Sequence, residues 1–74
     1  MTMRIYSKHC LYDTFDNAIS KGYEEGERSI DFLFLVPITD KEQRDISERL
    51  SHHALIRYVR WRFNTLMITT YLKI

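Results

Sequence analysis

The closing stretch of the chain, residues 51–74, is SHHALIRYVRWRFNTLMITTYLKI. It contains four aromatic side chains and no Asp or Glu. Two structures compete for it. A helix continuing into it from upstream would form an apolar stripe but would leave four apolar residues on the opposite side: Leu55, Ile56, Val59 and Phe63. Because residues 55–63 are rich in β-branched and aromatic side chains, we favour a strand there.

A second strand, residues 66–74, completes a predicted β-hairpin with Asn64-Thr65 as a two-residue turn. Such a turn fixes the register, and the register sorts the side chains onto two faces. The face predicted to join the core carries Leu55, Arg57 near its end, Val59, Trp61, Phe63, Leu66, Ile68, Thr70, Leu72 and Ile74. The opposite face is basic and aromatic, with Ile56, Tyr58, Arg60, Arg62, Met67, Thr69, Tyr71 and Lys73.

The first part of the chain is predicted to form a strand and then a helix. Residues 1–10 alternate between apolar and polar side chains, which indicates a half-buried strand. Residues 11–22 switch to helical spacing, with the apolar side chains on one face. We expect Asp13 to cap the N-terminus of this helix and Gly22 to end it.

The strongest strand pattern is residues 29–36, SIDFLFLV, whose apolar side chains fall on both faces. This is typical of a central strand that is covered, at least partly, on both sides. Thr39 and Glu42 then have the spacing of a capping box, which marks a helix N-terminus. We expect that helix to run to about Ser51.

The elements therefore follow in the order β-α-β-α-β-β. Both β-α-β connections are long enough for right-handed crossovers, which would place the two helices on the same side of the sheet. We predict a single small α+β domain, residues 1–74, in which two helices cover one face of a four-stranded mixed sheet.

The helix-free face of this sheet is the candidate working surface. Its predicted partner-binding residues are Arg4, Tyr6, Lys8, Leu33, Leu35, Tyr58, Arg60, Arg62, Tyr71 and Lys73. Asp31 is the one acid expected among them. Rings and cations suit a protein interface, and the two leucines favour a protein partner. Single-stranded nucleic acid is the alternative, since tyrosines stack on bases and cations hold phosphates. A homodimer through this face would bring like charges together.

Charge and cysteine content add further expectations. Residues 1–48 contain six Lys and Arg and ten Asp and Glu, whereas residues 49–74 contain five Lys and Arg and no acid. The net charge of +1 is therefore distributed unevenly along the sequence, with the negative charge in the first part and the positive charge in the last. The single cysteine, Cys10, cannot form an intrachain disulfide, which favours a reducing, cytoplasmic setting. The N-terminus lacks the apolar segment of a signal peptide. No uncharged run approaches the ~20 residues of a membrane helix, so we expect no membrane partner.

No catalytic site, metal site or cofactor is predicted. His9, Cys10, His52 and His53 lack the spacings typical of zinc sites, and we expect Cys10 to be half-buried and structural. The chain has no Gly-rich phosphate loop and no carboxylate pair placed for acid–base chemistry. We therefore expect a non-enzymatic inhibitor or adaptor. Accessory proteins of phages and mobile elements are often this short and lack enzyme motifs. We therefore expect such an accessory protein, although no particular residue indicates it.

Overall fold

The four strands and two helices follow the predicted order in a computed structural model that describes residues 1–74. The elements are β1 (Thr2–Ile5), α1 (Leu11–Glu24), β2 (Ser29–Phe34), α2 (Asp40–Ser51), β3 (Ile56–Arg62) and β4 (Met67–Leu72). The predicted α+β class is confirmed, and so is the hairpin, because β3 and β4 pair as antiparallel neighbours. The alternative of a continuous helix through this stretch is wrong.

The strands lie in the order β1-β2-β4-β3. β1 is parallel to β2, while β4 is antiparallel to both of its neighbours, so β1, β2 and β3 all run in the same direction. The predicted central strand at residues 29–36 is confirmed for Ser29–Phe34, since β2 has a partner on each side, but the strand ends two residues earlier than predicted. The last strand of the chain, β4, is the other inner strand.

The core lies between the two helices and one face of the sheet. Its twelve buried side chains are Ile5, Phe15, Ala18, Ile19, Ile30, Phe32, Phe34, Ile46, Leu50, Ile56, Ile68 and Leu72. Phe15 of α1 meets Phe32 of β2 edge-on at 4.7 Å between ring centroids. On the α2 side, Trp61 Nε1 donates a hydrogen bond to Ser47 Oγ. Both helices therefore cover the same face, as the crossovers predicted.

Helix α1 begins earlier than predicted. Its N-cap is Cys10, whose backbone is left-handed (φ 53°), and no side chain caps the helix. The Cys10 carbonyl accepts hydrogen bonds from both the N–H and the hydroxyl of Thr14, which starts the helix at Leu11. Asp13 lies inside the first turn, so its predicted role as N-cap is wrong.

Helix α1 also runs past Gly22, which therefore does not end it. Gly22 is buried, and a Cβ there would lie 2.6 Å from Ile30 Cδ1, so the position needs glycine for close packing. The helix is ended by Gly26 (φ 77°). Gly26 N–H bonds to Tyr23 O at 3.2 Å and Glu27 N–H to Gly22 O at 2.9 Å, the two bonds of a Schellman motif.

The predicted capping box of α2 is confirmed. Thr39 Oγ1 accepts a hydrogen bond from Glu42 N at 3.2 Å, and Glu42 Oε1 accepts one from Thr39 N at 3.0 Å. Two of the free N–H groups at the helix start are thereby satisfied. The helix ends at Ser51, as expected, with Ile46 and Leu50 buried.

The predicted register of the hairpin holds from Tyr58 to Arg62 and is shifted by one residue before Tyr58. Val59 pairs with Thr70 and Trp61 with Ile68, but a bulge between Ile56 and Tyr58 makes Ile56, not Arg57, the partner of Leu72. The extra residue turns Ile56 into the core, where it is 2% exposed, and leaves Arg57 exposed. The predicted faces of Ile56 and Arg57 were therefore wrong.

The hairpin turn is longer than two residues. Asn64 and Thr65 occupy its centre with φ of 51° and 72°, and Leu66 N donates to Phe63 O at 3.1 Å. Phe63 is left-handed too (φ 54°), so the strand alternation stops before it. Phe63 is 66% and Leu66 55% exposed, and their predicted place in the core is wrong.

Candidate binding surface

The side of the sheet that the helices leave uncovered is called here the open face. Strand alternation and the pairing register place on it Thr2, Arg4, Ser29, Asp31, Leu33, Tyr58, Arg60, Arg62, Met67, Thr69 and Tyr71. The burial of the intervening residues on β2 (Ile30, Phe32 and Phe34) confirms that these alternate side chains point away from the helices.

One row across the open face has an apolar centre and cationic ends. Arg4 pairs with Leu33, Leu33 with Met67, and Met67 with Arg62, which follows the strand order from one edge of the sheet to the other. Leu33 and Met67 are half-buried, whereas both arginines are exposed. A partner meeting this row would find a small dry patch with a guanidinium at each end.

The next row contains the one carboxylate of the open face. Asp31 accepts a hydrogen bond from Thr69 Oγ1 at 2.6 Å, and Thr69 in turn pairs with Arg60 on β3. Thr69 is 2% exposed although it lies on the uncovered side, because its neighbours close over it. The Asp31 carboxylate is thus already hydrogen-bonded within the sheet, whereas the Arg60 side chain remains exposed.

Two tyrosines form the third row. The rings of Tyr58 and Tyr71 stack at 4.4 Å with an interplanar angle of 18°. Arg62 Nη2 donates to the Tyr71 hydroxyl at 3.1 Å, and the Arg57 guanidinium carbon lies 5.5 Å from the Tyr58 ring centroid. The rings are therefore engaged with each other and with arginines before any partner arrives, which limits the rotamer freedom that they would lose on binding.

The structure brings together most of the residues predicted for this surface. Six lie on the strands of the open face: Arg4, Leu33, Tyr58, Arg60, Arg62 and Tyr71. Three more are exposed just beyond the ends of β1, β2 and β4, namely Tyr6, Leu35 and Lys73.

Lys8 does not belong to the open face. β1 ends at Ile5, and the Lys8 ammonium lies 2.8 Å from Glu42 Oε1 at the start of α2. The chain turns towards the helices as soon as the strand ends, so the alternation that predicted the place of Lys8 no longer applies there.

Two residues of the surface, Met67 and Arg57, were not predicted as site residues. Met67 pairs with Arg62 in the register expected from the sequence, so the same alternation could have identified it. Arg57 reaches this side only through the bulge. Nothing in the local sequence indicates where an extra residue enters the strand.

The cysteine and histidines are dispersed. Cys10 is exposed, in contrast to the half-buried position expected for it. His53 Nδ1 accepts a hydrogen bond from Leu55 N at 3.1 Å, and its Nε2 lies 3.5 Å from Asp16 Oδ1. Three or more His, Cys, Asp or Glu side chains do not come together anywhere as a metal-binding group.

Neither helix has the length and apolar composition that crossing a membrane requires. A scan against protein-family models and a search of curated proteins found no match to this chain. Its function is therefore inferred from the chemistry of the surface.

Proposed function

We propose that this chain is a non-enzymatic binding module, an inhibitor or adaptor that engages an acidic surface of another protein through its open face. The observation that carries the proposal is the row formed by Arg4, Leu33, Met67 and Arg62. It combines a half-buried apolar centre with exposed arginines at its ends, the arrangement of an interface core and rim. The cytoplasm is the proposed setting, supported by the single cysteine.

The charges of the open face favour an acidic partner. Exposed arginines lie along both edge strands, whereas the one carboxylate, Asp31, is already hydrogen-bonded to Thr69. An acidic partner would be steered to this side, and arginine pairs carboxylates through two parallel hydrogen bonds. A second copy of the same face would instead bring arginines against arginines.

The tyrosine pair supports a protein partner over a single-stranded nucleic acid. Base stacking needs a ring face free to receive the base. Tyr58 and Tyr71 are stacked on each other, and Arg62 already donates to the Tyr71 hydroxyl. The apolar pair in the middle of the face also has nothing to offer a phosphate backbone. Nucleic-acid binding remains the alternative, favoured by the same arginines.

An affinity-capture experiment tests the protein hypothesis. The wild type, the double variant Arg60→Glu/Tyr71→Ala and the control Arg44→Glu serve as baits in extract of the source cell. Arg44 is an exposed cation on α2, away from the open face. The captured protein is identified by mass spectrometry, purified and titrated against each bait. We expect at least tenfold weaker binding by the double variant and nearly unchanged binding by Arg44→Glu.

Circular dichroism establishes that the double variant is folded before its affinity is compared. Equal affinities of the wild type and the double variant would show that the open face is not the binding surface.

The nucleic-acid alternative has a separate measurement. Fluorescence anisotropy with labelled single-stranded DNA and RNA oligomers, at low and moderate salt, should show no saturable binding. Binding that weakens steeply with salt through counterion release, and that is lost in Arg60→Glu, would favour the alternative instead.

A further inference from the structure

The carboxyl ends of β1, β2 and β3 lie at one end of the sheet, because these three strands run in the same direction. Three segments meet there: residues 6–10 after β1, residues 35–39 after β2, and the hairpin turn, residues 63–66. We call this region the loop end. Both helices also begin there, since each follows one of the first two segments.

The loop end exposes four large side chains in a row. Following the strand order, they are Tyr6, Leu35, Leu66 and Phe63, with 50–68% of each exposed. Backbone hydrogen bonds hold the segments side by side: Leu35 N donates to Ile5 O at 2.8 Å, and Phe34 N donates to Leu66 O at 2.7 Å. With strands about 4.8 Å apart, such a row is about 15 Å long.

The turn that carries Phe63 has an unusual backbone. Phe63, Asn64 and Thr65 are three consecutive residues with positive φ, and none is glycine. A bulky residue in this conformation is an outlier, and strained positions of this kind cluster at binding sites. Burial does not explain the choice of phenylalanine, because two thirds of the side chain is exposed.

The charge around the loop end differs between its two sides. On the side of the open face, Arg4 and Arg62 lie on the adjoining strands. On the side of the helices, Asp13, Asp40 and Glu42 lie on the first turns, and Glu42 is held by Lys8 and by the Thr39 N–H. The exposed apolar row is thus bordered by cations on the side of the open face.

We propose that the loop end is a second binding surface, which takes an extended acidic segment of a partner protein, with Leu or aromatic side chains packed against Phe63, Leu66 and Leu35. The occupant follows from the geometry and the charge. A row of about 15 Å matches four or five extended residues at about 3.3 Å each. Carboxylates beside the apolar anchors would pair with the bordering cations. Arg4 and Arg62 also end the row that carries the proposed function, so the two surfaces adjoin, and the variants below are chosen to change one without the other.

Peptide display on the intact, biotinylated protein tests the proposal. A library of random twelve-residue peptides is selected, and the enriched peptides are synthesised and titrated by fluorescence anisotropy at physiological salt. We expect enrichment of peptides that combine Asp or Glu with Leu, Phe or Trp. Phe63→Gly should weaken their binding at least tenfold, and Leu66→Gln should do the same.

Phe63→Gly is a discriminating variant because glycine adopts positive φ without strain, so its melting temperature should be no lower than that of the wild type. Tyr23→Ala is the matched control, since Tyr23 is an exposed aromatic near the opposite end of α1. It should bind the peptides as the wild type does. The open-face variant Arg60→Glu/Tyr71→Ala should also bind them within threefold, which separates this surface from the open face.

Three results would overturn the proposal. The first is an absence of enrichment, or enrichment of basic peptides. The second is equal binding by Phe63→Gly and the wild type, or a marked fall in the melting temperature of Phe63→Gly, which would give the exposed ring a structural role. The third is cosedimentation with vesicles containing 30% phosphatidylserine that is lost in Phe63→Gly, which would assign the loop end to a lipid surface.

Discussion

At the scale of single residues, the two glycines show that the same residue type serves two physical purposes. Gly26 provides a left-handed backbone, which closes the Schellman motif after α1. Gly22 lies inside the helix. Because it has no side chain, fully buried Ile30 can pack directly against the backbone of α1. Only the second depends on a residue of another element, which is why the sequence alone suggests that Gly22 ends the helix.

Gly22→Ala should lower the free energy of unfolding by about 1–2 kcal/mol, measured by urea denaturation, because overpacking outweighs the gain in helix propensity. The loss should shrink in an Ile30→Val background, since valine lacks the Cδ1 that meets the new Cβ. Ser20→Ala, at an exposed position of the same helix, is the control and should be neutral or stabilising. Additive effects of Gly22→Ala and Ile30→Val would contradict the proposed contact.

At the scale of elements, the hairpin combines a register that follows from its sequence with two local departures from it. The bulge exchanges the places of Ile56 and Arg57, so the apolar side chain enters the core and the charged one joins the open face. In the turn, Phe63 has a left-handed backbone like Asn64 and Thr65, and its ring therefore lies outside the core. Both departures enlarge the surface available to a partner.

Thr65→Gly should stabilise the protein by about 1 kcal/mol, because a β-branched residue is strained at φ 72° and glycine is not. The stabilisation should appear as a higher urea midpoint with an unchanged denaturant slope. Thr2→Gly, in the extended backbone of β1, should have the opposite sign. A loss of stability in Thr65→Gly would show that the turn depends on contacts of the threonine side chain.

At the scale of the whole molecule, the fold turns a charge asymmetry along the sequence into one in space. Nine of the ten acids lie on the helices or in the loop after α1, and the tenth, Asp31, is bonded to Thr69. The exposed arginines of β1 and β3 lie on the open face. An acidic partner would therefore be attracted to one side of the molecule and repelled by the other, which fixes its orientation before contact.

The clearest charge contact between distant parts of the chain joins Lys8 to Glu42, 34 residues apart. The hydrogen bond from Lys8, followed by that from the Thr39 N–H, lowers the pKa of Glu42 from 4.5 to about 2. A lowered folded-state pKa stabilises the protein above pH about 4.5, and this contribution is lost as the pH falls towards 2.

Lys8→Met should therefore raise the pKa of Glu42 and make the loss of stability between pH 5 and pH 2 shallower than in the wild type. Urea denaturation across this pH range, with an NMR titration of the Glu42 carboxyl, provides the measurement. Lys21→Met, which removes an exposed cation from α1, should leave the pH dependence unchanged. Identical pH profiles for Lys8→Met and the wild type would show that the pair does not stabilise the fold.

Features that neighbouring residues encode can be predicted from the amino-acid sequence. The alternation of residues 29–36 identified the central strand, Thr39 and Glu42 identified the start of α2, and Asn64-Thr65 placed the centre of the hairpin turn. These signals are local, because capping, turn formation and side-chain alternation each depend on residues a few positions apart. Together they were enough for the fold class and for placing six of the ten residues of the predicted surface on the open face.

Features that depend on contacts between separate elements become visible only in the folded chain. The order β1-β2-β4-β3 follows from how the hairpin docks beside β2. The close packing of Ile30 explains why Gly22 has no side chain. Lys8 pairs with Glu42 and therefore does not lie on the open face. The apolar row of the loop end arises because three separate segments finish at one edge of the sheet. No local pattern contains these relations, since each forms only when separate elements of the chain pack together.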